Sequence, residues 1–221
     1  MELPLNKIIQ GDCLEVLKTF PDKCVDLVLT DPPYGIGVAK QNFLGTKKRK
    51  SWIARPTDYG NSDWDNQKPT LEVFNEIIRV SNNQIIFGAN YFTDKLPQSD
   101  KWMVWDKKND GTEFSHCELI WTSFGGKKLE IIRFLWRGMF QEDMKHKEYR
   151  YHPTQKPVQL FCAILEKHSQ PNQIILDPFL GSGTTAIAAK STHRNYIGIE
   201  ISPEYCKIAQ ARIRAAPEPM F

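Results

Sequence analysis

The sequence has little that would suit a zinc-binding, disulfide-linked or membrane-spanning protein. No apolar run approaches the roughly 18 residues needed to span a bilayer, and no basic region followed by a long apolar stretch opens the chain, so we expect no secretory signal. No internal repeat or low-complexity tract occurs. The five cysteines are scattered without a C-x-x-C pair: Cys13, Cys24, Cys117, Cys162 and Cys206. Reduced thiols in a cytoplasmic globular protein without membrane contact are therefore predicted.

The net charge is also small, +3 over 221 residues, but its distribution is uneven. Residues 40–55 hold six basic side chains and no acidic one, interleaved with Phe43 and Trp52. Basic and aromatic side chains in one stretch suit phosphate contacts and base stacking. We predict nucleic-acid binding there by Lys40, Lys47, Lys48, Arg49, Lys50, Trp52 and Arg55.

Strand and helix patterns alternate at both ends of the chain. Strands are predicted at residues 5–10, 25–29, 84–87, 102–105, 118–121, 130–136, 174–176 and 196–199. Helices are predicted at residues 13–19, 69–80, 157–168, 185–190 and 203–214. Residues 35–68 are polar and rich in turn residues, which predicts a long loop that is either functional or disordered. The pattern predicts one α/β domain, a mostly parallel sheet with helices on both faces.

The tetrapeptide Asp31-Pro32-Pro33-Tyr34 directly follows the apolar strand at residues 25–29. Open α/β sheets bind ligands at the carboxyl ends of their strands. The two prolines stiffen this turn, which presents a carboxylate, an outward carbonyl at Pro32 and an aromatic ring. Such a turn suits a planar group with an NH2, whose two hydrogens are accepted by Asp31 and Pro32 while Tyr34 stacks on the ring.

A second turn follows the strand at residues 174–176 and opens a helix of small residues. It reads Asp177-Pro178-Phe179-Leu180-Gly181-Ser182-Gly183-Thr184-Thr185. Its glycines allow a ligand to approach the backbone and the helix N-terminus. Glu200 ends the next strand, nineteen residues after Gly181, where a carboxylate suits ribose hydroxyls. The turn also satisfies a dinucleotide fingerprint, which leaves a dinucleotide and S-adenosylmethionine open at this point.

A third segment, Tyr151-His152-Pro153-Thr154-Gln155-Lys156-Pro157, precedes a predicted helix. Lys156 is a point cation between prolines, and it suits a carboxylate such as that of a methionine moiety. The carboxylate of S-adenosylmethionine would be a fitting partner, although a surface lysine would give the same pattern.

Together, the three segments resemble the amino methyltransferases of DNA, which methylate the exocyclic nitrogen of adenine or cytosine. Residues 31–34 are similar to their catalytic motif, residues 177–185 to their cofactor-binding glycine turn, and residues 152–157 to the segment that closes over the methionine end of the cofactor. Residues 11–12 resemble the motif whose acid contacts the cofactor's adenine. The order of the motifs matches the permuted group called the beta class. The resemblance covers residues 5–38 and about 150–213 well, and the middle only loosely.

The resemblance implies a Rossmann-like S-adenosylmethionine-dependent methyltransferase fold with circularly permuted motif order. It implies one catalytic domain over residues 1–221, with a target-recognition insertion within residues 36–68 and 137–150. It also implies a bacterial, archaeal or phage-encoded enzyme of the restriction-modification kind that forms a homodimer and acts on duplex DNA. The implied cofactor-binding residues are Asp12, Cys13, Asp31, Thr154, Lys156, Asp177, Pro178, Phe179, Gly181, Ser182, Gly183, Thr184, Thr185 and Glu200. The implied catalytic residues are Asp31, Pro32, Pro33 and Tyr34.

The predicted reaction is methyl transfer from S-adenosylmethionine to N6 of a flipped adenine, without a metal. The acid-first motif favours adenine, since cytosine enzymes of the family more often begin this motif with serine. The alternatives are cytosine-N4 methylation, methylation of RNA, a non-catalytic nucleic-acid-binding subunit and a nicotinamide-dependent oxidoreductase. The intact turns at Asp31 and Gly181 weigh against a non-catalytic subunit, because a scaffold needs neither.

Overall fold

The computed structural model describes residues 2–36, 68–112, 115–126, 128–137, 140–145, 147–151 and 154–217. Its helices are α1 (Cys13–Lys18), α2 (Leu71–Val80), α3 (Val158–His168), α4 (Thr184–Ser191) and α5 (Pro203–Ala215). Its strands are β1 (Lys7–Gln10), β2 (Val25–Thr30), β3 (Ser81–Phe87), β4 (Trp102–Asp106), β5 (Cys117–Thr122), β6 (Glu130–Arg133), β7 (Trp136–Arg137), β8 (Phe140–Gln141), β9 (Ile174–Asp177) and β10 (Asn195–Glu200). Among these residues, no helix is long and apolar enough to cross a membrane.

The strands form one eight-stranded sheet in the order β1-β10-β9-β2-β3-β5-β4-β6, and β7 pairs only with β8. The first five strands of that order run parallel, β5 is antiparallel to both of its neighbours, and β4 and β6 are parallel. The predicted α/β fold with a mixed, mostly parallel sheet is therefore confirmed. The chain leaves β2 towards β3 and leaves β9 towards β10, so the strand order reverses between β2 and β9.

The helices cover both faces of the sheet, as predicted. Helices α1 and α2 pack on one face, where Leu17, Phe74 and Ile77 are fully buried. Helices α3, α4 and α5 pack on the other, and α4 is buried along its whole length except at its C-terminal end. Its small side chains, Ala186, Ala188 and Ala189, let α4 lie against both the sheet and its neighbouring helices.

The predicted strand at residues 130–136 is wrong in its second half. The N–H of Phe134 still bonds the carbonyl of Asp106, but the next residue leaves the sheet, and its N–H donates to Glu142 Oε2 at 2.7 Å. The indole N–H of Trp136 then donates to the Gln155 carbonyl at 3.0 Å. Long-range hydrogen bonds thus divide one apolar pattern into β6 and β7, and β8 forms at Phe140–Gln141, where no strand was predicted.

Glu130 connects the edge strand β6 to β4 and α3, and we expect its loss to destabilise the fold. Its carboxylate lies 3.2 Å from Lys101 Nζ and 2.7 Å from Lys167 Nζ. Burial raises the pKa of Glu130, but Lys167 and Lys101 outweigh that effect and hold it at about 2. Glu130→Gln should lower the unfolding free energy at pH 7 by about 1–3 kcal/mol. Because the folded-state pKa is depressed, the difference between wild type and variant should persist above pH 4.5 and shrink as the pH falls towards 2, which urea denaturation at several pH values would measure.

Candidate active site

The two predicted motifs lie side by side at the carboxyl ends of β2 and β9. The strands are paired through Leu27 with Ile175 and through Val28 with Leu176. Crevices at such reversals of strand order are the usual ligand sites of open α/β sheets. The hydroxyl of Thr30, the last residue of β2, donates to Asp177 Oδ1 at 2.6 Å, which ties the ends of the two strands together.

Asp177 lies inside the glycine turn and organises it. Its carboxylate accepts hydrogen bonds from Thr30 and from the N–H of Phe179 at 3.0 Å, and its other oxygen accepts one from Thr185 at 2.5 Å. Burial raises the pKa of Asp177 to about 6, against the opposing effect of these hydrogen bonds. Protein donors thus occupy both oxygens of the carboxylate, and Asp177 shapes the cofactor-binding turn predicted from the sequence.

The turn itself depends on two glycines with left-handed backbone, Gly181 at φ +53° and Gly183 at φ +92°. A Cβ on Gly183 would lie 2.9 Å from the Cβ of Ala209 on α5. The N–H of Gly181 donates to Glu200 Oε2 at 2.8 Å, and the N–H of Ser202 donates to Oε1 of the same carboxylate at 2.8 Å. The turn after β9 and the acid that ends β10 therefore share one site, although Gly181 and Glu200 are nineteen residues apart in the sequence.

Asp12 and Cys13 lie beside Glu200, because β1 pairs with β10 and the Gly11 N–H donates to the Glu200 carbonyl. Asp12 caps α1, with Oδ1 accepting the Leu14 N–H at 2.9 Å and the Glu15 N–H at 3.2 Å. Burial and the nearby carboxylate of Asp12 raise the pKa of the Cys13 thiol to about 12, so the thiol is neutral. The structure thus brings both residues to the wall predicted for the cofactor.

The segment before α3 is held over the glycine turn. Gln155 Oε1 accepts the Ser182 hydroxyl at 3.2 Å, and the Lys156 carbonyl accepts the Thr184 hydroxyl at 3.3 Å. Arg212 of α5 donates to the carbonyl of Ser182 at 2.6 Å and to Glu148 at 2.8 Å. Thr154 belongs to the same segment, whereas residues 152–153 lie outside the described residues.

Asp31 lies in a cluster of ionisable groups from four parts of the chain. Its Oδ2 is 2.6 Å from Lys156 Nζ, and its Oδ1 is 2.5 Å from the Tyr34 hydroxyl. Glu118 of β5 completes the cluster, since its Oε1 is 3.1 Å from Lys156 Nζ and 2.6 Å from the same hydroxyl. Lys107 Nζ lies 3.0 Å from Glu118 Oε2. In this structure, therefore, the carboxylates that bind Lys156 belong to the protein itself.

Burial and charge move the two carboxyl groups of this cluster in opposite directions. Burial raises the pKa of Asp31, Lys156 opposes the rise, and the negative charge of Glu118 adds to it. Burial also raises the pKa of Glu118, but Lys156 and Lys107 outweigh burial and hold it at about 2. Glu118 is therefore a permanent anion, whereas Asp31 is the carboxyl group of the pair that takes up a proton more readily.

The Tyr34 ring packs against the turn that follows β3. It stacks on Tyr91 with ring centroids 4.8 Å apart and planes 17° from parallel. A Cβ on Gly88, which has φ +61°, would lie 2.1 Å from the Tyr34 ring, so only glycine allows this close approach. Lys156 Nζ is 5.5 Å from the centroid of the same ring. The ring predicted to stack on a base is thus held in place by Tyr91 and the backbone at Gly88.

All of the residues predicted to bind nucleic acid between positions 40 and 55 lie outside the described residues, which exclude residues 37–67. The second predicted DNA-contact segment, residues 137–150, is described at residues 137, 140–145 and 147–150. Here Lys145, Lys147 and two tyrosines are exposed, and the rings of Tyr149 and Tyr151 pack edge to face with centroids 4.6 Å apart. The Tyr151 ring also lies 5.2 Å from the Arg212 guanidinium.

Glu118, Lys107 and Arg212 belong to the site, yet the sequence analysis assigned none of them a role. Glu118 was predicted only as the first residue of a strand, and an acid at that position in an otherwise apolar strand was the available signal. Arg212 lies on the C-terminal helix, 30 residues from the serine that it contacts. Their roles depend on contacts across the sheet, which spacing along the chain does not reveal.

Comparisons with known proteins identify the family of the chain. A family model described as DNA methylase, of the N6 and N4 type, matches residues 65–211, well over half of the chain. The type II methyltransferase M.HinfI of Haemophilus influenzae is 30% identical, over 95% of this chain and 68% of its own length.

Two solved structures share the fold. The M1.HpyAVI complex with SAM has 23% identity and a TM-score of 0.57, covering 94% of this chain and 98% of its own. The cytosine-N4-specific PvuII DNA methyltransferase has 17% identity and a TM-score of 0.59, covering 93% of this chain and 85% of its own. The predicted resemblance is confirmed, and the family uses S-adenosylmethionine as its methyl donor. The chain belongs to the N6/N4 family of DNA methylases.

Proposed function

We propose that this DNA methylase transfers the methyl group of S-adenosylmethionine to N6 of adenine in duplex DNA, with Asp31 at the reacting centre. The observation that carries the proposal is the position of Asp31, next to the glycine turn across the β2–β9 junction and linked through Thr30 to Asp177. A nitrogen acceptor held by Asp31 would therefore lie beside a cofactor held by the turn.

The residues of the glycine turn suit the cofactor. Gly181 and Gly183 carry no side chain that would block approach to the backbone. Each oxygen of the Glu200 carboxylate accepts one backbone N–H and keeps a lone pair for a ribose hydroxyl. Asp12 and Cys13 would line the adenine end, in keeping with the sequence prediction. Lys156, predicted at the methionine end, is paired here with Asp31 and Glu118. When bound, the cofactor supplies an electrophilic methyl group on its sulfonium.

Asp31 and the Pro32 carbonyl would accept the two hydrogens of the target amino group. Its lone pair is conjugated into the ring, and these two acceptors would bias the nitrogen towards tetrahedral geometry and aim the lone pair at the methyl group. Asp31 need not be a strong base, because the amino proton becomes acidic only as the new bond forms. The target base must leave the helix to reach this position, and Tyr34 would stack on it.

Adenine is the proposed base because the motif begins with an acid, whereas cytosine enzymes of the family more often begin it with serine. Cytosine-N4 is the second candidate, favoured by the fold shared with the cytosine-N4-specific PvuII DNA methyltransferase. For DNA contact we propose the basic residues 40–55 and the exposed basic and aromatic side chains around Tyr149, which combine phosphate-binding and stacking groups.

Transfer of a tritiated methyl group to mixed-sequence duplex DNA, with RNA in parallel, followed by mass spectrometry of the nucleosides, tests this function. N6-methyladenine in DNA is the expected product. N4-methylcytosine would replace the proposed base, and label in RNA alone would replace the proposed polymer. Bound S-adenosylmethionine without transfer to either polymer would contradict the proposal and favour a non-catalytic subunit.

Arg212 should affect cofactor binding, since it supports the glycine turn through Ser182 and the overlying segment through Glu148. Arg212→Met is expected to raise the Kd for S-adenosylmethionine about tenfold, equivalent to about 1.4 kcal/mol. Isothermal titration calorimetry measures it. The matched control is Arg194→Met: Arg194 is also buried, but it precedes β10 and bonds Ser169 and Leu165 at the end of α3. An unchanged Kd in folded Arg212→Met, or an equal rise in the control, would contradict this role.

A further inference from the structure

Glu118 is a second buried carboxylate in contact with the partners of Asp31. Its side chain is 10% exposed, and that of Lys156 is 8% exposed. Glu118 Oε1 faces Lys156 and the Tyr34 hydroxyl, while Oε2 faces Lys107. The mechanism outlined above assigns no task to this group. Lys156 and Tyr34 are thus shared between two carboxylates, and only one of these, Asp31, follows β2 at the proposed reacting centre.

Asp31 needs an accepting oxygen for the target amino group, yet both of its oxygens already have donors. Oδ1 faces the Tyr34 hydroxyl and Oδ2 faces the Lys156 ammonium. The amino hydrogen must therefore either share an oxygen with one of these donors, which weakens its acceptance, or replace that donor. A buried ammonium that lost its counter-ion would be strongly disfavoured, and so would a buried hydroxyl without an acceptor. A second acceptor within reach of both donors removes that obstacle.

We propose that Glu118 is a positioning residue for methyl transfer, which retains Lys156 and the Tyr34 hydroxyl while Asp31 exchanges them for the target amino group. The inference rests on the proposed catalytic role of Asp31. The Tyr34 hydroxyl carries a single hydrogen and lies between the two carboxylates, so it donates to one of them at a time. When it donates to Glu118, Oδ1 of Asp31 is available to the substrate.

The charges around the cluster support this exchange. Lys156 and Lys107 both face Glu118, which remains ionised and able to accept. Asp31 faces Lys156, Tyr34 and Glu118, and the carboxylate of Asp177 lies near enough for the two acids to repel each other. Because Glu118 stays ionised, Lys156 keeps an anionic partner and the Tyr34 hydroxyl keeps an acceptor when both move from Asp31 towards Glu118.

Steady-state kinetics of Glu118→Gln across a pH range test the inference. In this variant Asp31 is the one anion of the pair that remains for Lys156, so Lys156 stays on Asp31 and competes with the target amino group. We therefore expect kcat to fall at least about tenfold. The Kd for S-adenosylmethionine should stay within about twofold, because Glu118 pairs with Lys156, Tyr34 and Lys107 rather than with the glycine turn. Removal of the negative charge should also lower the pKa of Asp31 and move the acidic limb of the kcat profile to lower pH. Glu118→Asp should restore part of kcat and move the limb back.

The control is Glu130→Gln. It removes another carboxylate that is paired with two lysines but lies outside the cluster, and it should leave the kcat profile unchanged.

A second variant, Lys107→Gln, removes one cation from Glu118, so kcat should fall and the acidic limb of its pH profile should move to higher pH. An unchanged profile in folded Glu118→Gln would overturn the inference. A Glu118→Gln variant with a lower melting temperature and a lower kcat, but with the acidic limb of its kcat profile unmoved, would also overturn it. If Glu118→Gln does not fold, an unchanged kcat profile in Lys107→Gln would overturn the inference instead.

Asp31→Asn separates this inference from the proposed function. Loss of turnover in Asp31→Asn together with a normal Glu118→Gln would overturn the role of Glu118 alone. Wild-type turnover in Asp31→Asn would overturn the proposed role of Asp31, and the role of Glu118 with it. Loss of turnover in Asp31→Asn with a displaced limb in Glu118→Gln is the expected result.

Discussion

Asp31→Asn is expected to lower kcat for methyl transfer by about 10³-fold, the scale on which removal of one pre-positioned electrostatic group acts in an enzyme site. The amide keeps the shape of the side chain but presents one acceptor and one donor group where the carboxylate has two acceptors. The amino hydrogen then meets a weaker, neutral acceptor, and the proton released after transfer loses its nearest base. Single-turnover methyl transfer to duplex DNA would measure the chemical step directly.

The same substitution should leave cofactor binding intact, with a Kd for S-adenosylmethionine within about twofold of wild type, because it removes a group acting on the acceptor side. Asp31 is buried with a raised pKa, so the folded state binds its proton more tightly than the unfolded chain. Ionised Asp31 therefore opposes folding increasingly as the pH rises above its ordinary pKa. Asp31→Asn should thus melt at or above the wild-type temperature at pH 7, and wild-type turnover in this variant would contradict the mechanism.

Gly183→Val is expected to abolish measurable cofactor binding. Gly183 has φ +92°, in a region that costs a residue with a Cβ about 1–2 kcal/mol, and more when it is β-branched. The new Cβ would also lie 2.9 Å from the Ala209 Cβ and 3.1 Å from its Cα, so α5 must shift away from the turn. Because α5 carries Arg212, this shift would also release the turn at Ser182. Calorimetric titration with S-adenosylmethionine and thermal melting would separate lost binding from lost folding.

The matched control for Gly183→Val is Gly111→Val. Gly111 also has positive φ, +75°, but no described atom lies within 4 Å of the position of its Cβ. It shares the backbone strain without the collision and lies outside the glycine turn. Gly111→Val should therefore retain cofactor affinity, and Gly183→Ala should weaken it less than Gly183→Val. Equal loss of affinity in the variants at positions 111 and 183 would contradict a specific role for the turn.

Local patterns were sufficient for most of the secondary structure, because each element carries its own signals. Asp12, Thr70 and Ser202 cap α1, α2 and α5 as short-range acceptors, and they mark where those helices begin. The sequence pattern did not predict the polar start of β3. There Ser81 is buried, its hydroxyl donates to the Ile77 carbonyl, and its backbone pairs with β2, and none of these contacts is visible in the local pattern. The division of residues 130–136 was missed for a similar reason, since the partners of Trp136 and Leu135 lie elsewhere in the chain.

The sequence by itself determined the fold class, the family and the two turns on which the proposed chemistry depends. Their prolines, glycines and acids act through backbone angles and local hydrogen bonds, which depend on neighbouring residues along the chain. Only the tertiary structure decided that Lys156 contacts Asp31, that Glu118 shares both partners of that acid, and that Arg212 supports the glycine turn. These contacts join residues 30 to 125 positions apart in the sequence. They exist because the sheet order places β9, β2, β3 and β5 side by side, which brings the ends of β2, β5 and β9 together near α5.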